Sequence, residues 1–230
     1  MLDELKKLVC GANQRIVAKG LVIETFGNVS GVDRPSGNMV IKPSGVPYEQ
    51  MKPEDMVVVS LETGQVVESD LRPSSDTPTH LVLYRSFKEI GGVVHTHSLF
   101  ATAWAQARWE IPCYGTTHAD YFYGSVPVTR LMTPEEIHTN YEANTGKVIV
   151  ERFTRVDPIK VSAVLVADHG PFTWGATPDE AVHKAVVLEH MARLAIETLR
   201  VDPRSQPIQR ELLDKHFLRK HGPAAYYGQK

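Results

Sequence analysis

Gly91-Gly92-Val93-Val94-His95-Thr96-His97-Ser98 joins an apolar run to two histidines one residue apart. In a strand, side chains at i and i+2 leave the same face, and at ~3.3 Å rise per residue their Cα atoms lie roughly 7 Å apart. His95 and His97 are therefore placed to converge on one metal ion, or else to pack and hydrogen-bond beside each other. A catalytic zinc ion usually takes three protein ligands and keeps one position open, so the metal reading requires another donor. A second run of the same design, Val161-Ser162-Ala163-Val164-Leu165-Val166-Ala167-Asp168-His169-Gly170-Pro171, supplies His169. Each run reads as a buried strand that hands an imidazole to a turn and then a helix, where α/β folds place chemistry.

Outward from these runs, Leu5, Leu8, Val9, Ala12, Ile16 and Val17 recur near helical spacing, which predicts an amphipathic helix over Leu2 to Lys19 with Gly20 as its stop. Val22 to Val32 and Asn38 to Lys42 flank Asp33-Arg34-Pro35-Ser36-Gly37, and Met56 to Leu61 and Val66 to Glu68 flank Glu62-Thr63-Gly64. Such turn-rich connections predict antiparallel pairs. Ser75-Asp76-Thr77-Pro78 opens a helix to about Lys88, and Thr133-Pro134-Glu135-Glu136 and Thr177-Pro178-Asp179-Glu180 read as capping boxes. The last begins a long helix with Ala181, Val182, Ala185, Val186, Leu188, Ala192 and Ala195 as its buried stripe, and a final helix spans about Pro207 to Lys220. The plan is a single three-layer α/β/α domain over residues 1–230 with a largely antiparallel central sheet.

At 230 residues the chain can bury one substantial core, and no composition break divides it. A formal net charge of −2 provides no basic footprint for nucleic acid, and no run of 18 apolar residues is present to span a membrane. The charged, helix-patterned start lacks the order of a signal peptide, so the expected location is the cytoplasm. Cys10 and Cys113 read as free thiols.

Three segments rich in small hydrogen-bonding residues lie beside strand ends or helix starts: Gly27-Asn28, Lys42-Pro43-Ser44-Gly45 and Pro73-Ser74-Ser75-Asp76. Each could face an anion or serve only as a cap or turn. Ser74 and Ser75 precede a helix whose free amides favour phosphate, Gly45 permits close backbone approach, and Lys42 brings charge. Neither GxxxxGK[ST] nor GxGxxG occurs, which favours a small phosphorylated metabolite over ATP or a dinucleotide.

Together with Gly115-Thr116-Thr117-His118-Ala119-Asp120 and Asp168-His169-Gly170-Pro171, these motifs stand in the order that resembles the class II aldolase and adducin superfamily, over almost the whole chain. Within it, Thr117 to Gly124 and the tail from Asp214 to Gly228 look like the branch that epimerises L-ribulose 5-phosphate at C4. The resemblance implies a class II aldolase-like fold and one zinc ion per subunit held by His95, His97 and His169 with Asp76 as a further ligand, a donor set that manganese or cobalt also accepts. It also implies that Gly27, Asn28, Ser44, Gly45, Ser74 and Ser75 contact a small phosphorylated sugar, with Lys42 nearby. Asp120 and the neighbouring subunit's Tyr227 correspond to the acid-base pair, in a homotetramer whose segment 207–230 serves the adjacent active site. From the residues alone, Asp76 and Asp120 are equally caps or turn residues and Tyr227 a packing residue. Related aldolases acting on L-fuculose or L-rhamnulose phosphate typically carry Glu where Asp76 stands, which favours the epimerase. A non-catalytic module like the adducin head is the other alternative, opposed by the presence of all three histidines.

Overall fold

Val9, Ala12 and Ile16, three and four residues apart, form the buried stripe of the first helix, α1 (Leu2–Ala18), which ends before the left-handed Gly20. The computed structural model describes residues 2–222 together with Ala225 and Tyr226. Four strands follow: β1 (Gly27–Asp33), β2 (Asn38–Ile41), β3 (Val57–Ser60) and β4 (Val66–Glu68). Then come α2 (Thr77–Ser86), β5 (Gly92–Thr96), α3 (Leu99–Ala107) and the short α4 (Thr116–Ala119) and α5 (Pro134–His138). The chain continues through α6 (Tyr141–Arg152), β6 (Ala163–Leu165), β7 (Pro171–Gly175), α7 (Pro178–Val201) and α8 (Arg210–His221).

The strands make one sheet in the order β4-β3-β2-β1-β5-β7-β6, antiparallel at every pairing. Alternation along the strands feeds two cores. Met39, Ile41, Val57, Val59 and Val93 pack under α2 and α6, while Val40, Val58, Val29 and Val94 pack under α1 and α7. Burial of both faces makes Val57-Val58-Val59 of β3 and Val93-Val94 of β5 uninterrupted β-branched runs. A third cluster seats α3 on α7 and β6 through Trp104, Leu165, Leu188 and Ala192. This is the three-layer α/β/α arrangement, and no helix among the described residues is long and apolar enough to cross a membrane.

Several local expectations are corrected. The run from Val161 to Pro171 does not lead from a strand to a helix: it contains β6 and the turn of a β6-β7 hairpin, closed by the Val166 amide on the Gly170 carbonyl. His169 sits in that turn, after Asp168 in the left-handed region at φ 60°. The box at Thr177 is half formed, because its hydroxyl accepts from the Glu180 amide while the Glu180 carboxylate turns to the Ala176 amide. The box at Thr133 is complete. α8 starts at Arg210 rather than Pro207, since Gln209 is still extended at ψ 145°.

Candidate active site

Strand register assembles the centre. β1 sets Asn28 opposite His95, and β7 sets Phe172 on its other side. The Phe172 ring stacks on the His95 imidazole with centroids 4.1 Å apart and planes at 15°. His95 Nδ1 lies 3.0 Å from the Pro171 carbonyl and donates to it, which leaves the Nε2 lone pair free. His97, just past the strand, brings its Nε2 to 3.1 Å from that atom. The hairpin turn carries the His169 ring to 4.7 Å from His95 and 5.0 Å from His97 between centroids. Only glycine fits at 170, where a Cβ would stand 2.9 Å from the Thr96 carbonyl. One donor atom from each histidine lies within 4.8 Å of the other two.

Three nitrogens about 2.1 Å from a tetrahedral ion are about 3.4 Å apart, so the cluster fits a divalent metal. The donor chemistry agrees. With the His95 proton committed at Nδ1, the facing nitrogens of His95 and His97 gain most from a cation between them. Burial, then the charges of His95 and His97, push the His169 imidazole down to about 3, which keeps it neutral and able to ligate. Asp76 occupies the N-cap position of α2, yet its side chain makes no capping bond. Its Oδ2 accepts from Asn28 Nδ2 at 2.6 Å. Burial alone would raise this carboxyl, but His95, His80, the Asn28 bond and His169 outweigh it and hold the group below the usual carboxylate range.

A cavity of about 380 Å³ opens over the histidines and Asp76, lined also by Gly27, Asn28, Lys42, Ser44, Gly45, Ser74 and Ser75. The Lys42 and Ser74 segments are tied together, with the Ser74 amide on the Lys42 carbonyl at 2.9 Å and the Ser44 amide on the Arg72 carbonyl at 2.9 Å. Gly45 adopts φ 72°, a turn that a side chain would strain. Lys42 is 3% exposed, and its Nζ donates to the Pro43 carbonyl at 3.1 Å above the Tyr48 ring. Burial lowers its pKa. Neither neighbour neutralises the ammonium, so an incoming anion would.

Four lining residues carry no signal in the sequence: Thr25, Phe26, Tyr141 and Glu142. The Tyr141 hydroxyl is 3.3 Å from His169 Nδ1, and the Phe26 ring stacks over His97 at 6.1 Å. The first turn of α6 brings Tyr141 and Glu142 to the cavity because α6 packs on α2.

Asp120 does not line this cavity. It follows α4, and its carboxylate is held from α8 by His216 Nδ1 at 3.0 Å, Arg219 at 3.1 Å and Lys220 at 3.2 Å. Burial opposes ionisation there, but Arg219, His216 and Lys220 outweigh it and lower the pKa. Tyr227 lies outside the described residues. Nearby His118 is buried with Nε2 on the Gly124 carbonyl at 2.8 Å, and burial pushes it down to about 4 against that bond. The native state thus keeps His118 neutral where the unfolded chain binds a proton below pH ~6.5. Stability contributed by this neutral ring is present above that pH and lost as pH falls toward 4. Urea titrations of metal-free protein from pH 7 to 5 should show His118→Gln with a shallower loss than the parent, by up to about 1.4 kcal/mol per pH unit. Parallel curves would contradict this.

Residues 7–196 match the class II aldolase and adducin N-terminal domain. The chain is 54% identical over 229 residues to proteins named L-ribulose-5-phosphate 4-epimerase UlaF from Salmonella paratyphi B and Salmonella typhi, covering 100% of both chains in each case. Among solved structures it resembles an L-fuculose 1-phosphate aldolase, with a TM-score of 0.78 and 25% identity over 93% of this chain and 94% of that one. A second such aldolase, from Thermus thermophilus, gives 0.67 and 25% over 89% and 98%.

Proposed function

The chain belongs to the class II aldolase and adducin family, and from that membership we propose that it is a metal-dependent L-ribulose-5-phosphate 4-epimerase. Full-length identity of 54% to epimerases carries this reading over that of an aldolase, to which the structural likeness is 25% identical. The convergence of His95, His97 and His169 supports an enzyme rather than a non-catalytic module.

The C4 hydrogen of a 2-ketopentose is not acidic, because it is β to the C2 carbonyl. Inversion therefore proceeds by breaking C3–C4. The C4 hydroxyl loses its proton, the bond pair moves to C3, and the fragments are the enediolate of dihydroxyacetone and glycolaldehyde phosphate. Rotation of the aldehyde and re-addition deliver the epimer. Zinc, held by His95, His97, His169 and Asp76, would supply the Lewis acidity that stabilises the enediolate charge. Ser44, Gly45, Ser74 and Ser75, with Lys42, would hold the phosphate and so retain the aldehyde during its rotation. Gly27 and Asn28 line the space between these two groups.

Because the C4 oxygen points in opposite directions in the two epimers, one proton carrier is needed on each side. We assign these roles to Asp120 and Tyr227. The histidine cavity of one chain lacks Asp120, so in this reading Asp120, like Tyr227, reaches it from a neighbouring subunit of a homotetramer. Large apolar side chains left exposed on the single chain, including Leu99, Trp109 and Val201, fit such an assembly.

Incubation with L-ribulose 5-phosphate and analysis of products tests the proposal. D-xylulose 5-phosphate is expected, whereas accumulation of free dihydroxyacetone and glycolaldehyde phosphate would favour an aldolase. Lys42→Met should raise KM for the phosphorylated sugar roughly tenfold or more, the cost of losing a charged hydrogen bond, and lower kcat where that binding energy orients the aldehyde. Equal turnover of ribulose with and without phosphate would remove Lys42 and the serines from this role.

A further inference from the structure

α2 and β1 meet along a row of polar side chains, of which Ser30, His80 and Tyr84 have no part in the reaction as written. Asp76, His80 and Tyr84 recur every four residues on one face of the helix start and helix, and Asn28 and Ser30 stand at i and i+2 on the strand. They pair off in order. Asn28 Nδ2 reaches Asp76 Oδ2 at 2.6 Å, and Ser30 Oγ lies 2.7 Å from His80 Nδ1 and 2.8 Å from the Tyr84 hydroxyl. Ser30, His80 and Tyr84 are fully buried.

Within this row two buried atoms lack a partner among the described residues, His80 Nε2 and Asn28 Oδ1. An unmet buried polar atom costs about 1–3 kcal/mol, so it calls for an explanation. Burial drives the His80 imidazole down to about 3, with the Asp76 charge acting on it in the opposite sense. A neutral ring carries a single proton. If the Tyr84 hydroxyl donates to Ser30 and Ser30 donates to Nδ1, that proton sits on Nε2. The His80 ring also meets the edge of Phe172, whose face stacks on His95.

We infer that His80 is a positioning residue for Asp76: the Tyr84-Ser30-His80 chain fixes an N–H at Nε2 that serves the carboxylate through one buried water. Asp76 is thereby steered by both Asn28 and His80 into one orientation beside the histidines. The inference rests on Asp76 and the three histidines forming a metal site.

The test is Co²⁺ binding to the purified full-length protein, by competition with a chromophoric chelator and by the visible spectrum of the bound ion. His80→Asn keeps a polar group at the Nδ1 position and loses the one at Nε2, whereas His80→Gln keeps a donor near Nε2. Steering of Asp76 requires His80→Asn to weaken Co²⁺ binding about 10–100-fold and alter the spectrum, with His80→Gln nearer the parent. It also requires no further loss from His80→Asn in an Asp76→Asn background. A role limited to the Ser30 contact gives the reverse order, Asn milder than Gln, and that order overturns the inference. Should the His80 variants not fold, Tyr84→Phe removes only the first hydroxyl of the chain. Its Co²⁺ affinity should then fall severalfold, and parental affinity and spectrum would overturn the inference. Parental protein that binds no Co²⁺ would instead overturn the metal site itself.

Discussion

His169→Ala is expected to abolish metal binding and lower epimerisation by about 10³-fold or more, while leaving the fold intact. The site is built from imidazoles brought by two separate segments, the end of β5 and the β6-β7 turn. Removing His169 leaves His95 and His97 with Asp76, and the remaining donors no longer surround the ion. The fold should survive because His169 sits in a turn and the hairpin is closed by backbone, through Val166 and Gly170. His97→Asn should behave alike, since His97 is exposed and lies just beyond the last strand residue. Elemental analysis of the purified variants, thermal melting and the epimerisation assay on one preparation separate these effects. Full activity in protein shown to be free of metal would exclude the metal reading.

The parts of this site that follow a backbone period were legible in the sequence. His95 and His97 are two apart in a β-branched run, and that spacing alone puts them together. His169 was found by its matching run, although a tight turn to a second strand stands where a helix was expected. What was illegible depends on packing between distant elements. Tyr141 and Glu142 lie at the start of α6, whose Asn144, Thr145 and Gly146 weaken any helical signal. Gly146 reads as a breaker, yet a Cβ there would come within 2.6 Å of the Val82 side chain on α2. The same residue that hides the helix from the sequence lets it approach closely enough to deliver Tyr141 to His169. α3 stands where the first run predicts a helix after its turn, although Leu99 to Ala107 is apolar nearly throughout and shows no stripe of its own to mark its length. Asp76 is the converse case, a residue whose position suggests a cap while its carboxylate is turned to Asn28.

Mixing inactive variants should restore activity if each site is shared. Take one parent with His97→Asn and another with Tyr227→Phe, dissociate them together and let them reassociate. Where a chain with intact histidines meets a neighbour with intact Tyr227, the site is whole, and on random mixing about a quarter of the sites meet that condition. Partial activity should therefore appear that neither parent shows. Asp120 makes the sharper case, because its position relative to the cavity is known. It is held by His216, Arg219 and Lys220 and does not line the histidine cavity of its own chain. If Asp120 serves the cavity of a neighbour, His97→Asn mixed with Asp120→Asn must also complement. If it serves its own chain, every site in the mixture carries one of the two lesions and none recovers. Asp120→Asn keeps the size of the side chain but loses the charge that pairs with α8, so each parent must first be shown to assemble and, for Asp120→Asn, to bind metal. Mixed oligomers that form, yet remain as inactive as their parents, would place Asp120 and Tyr227 outside a shared site.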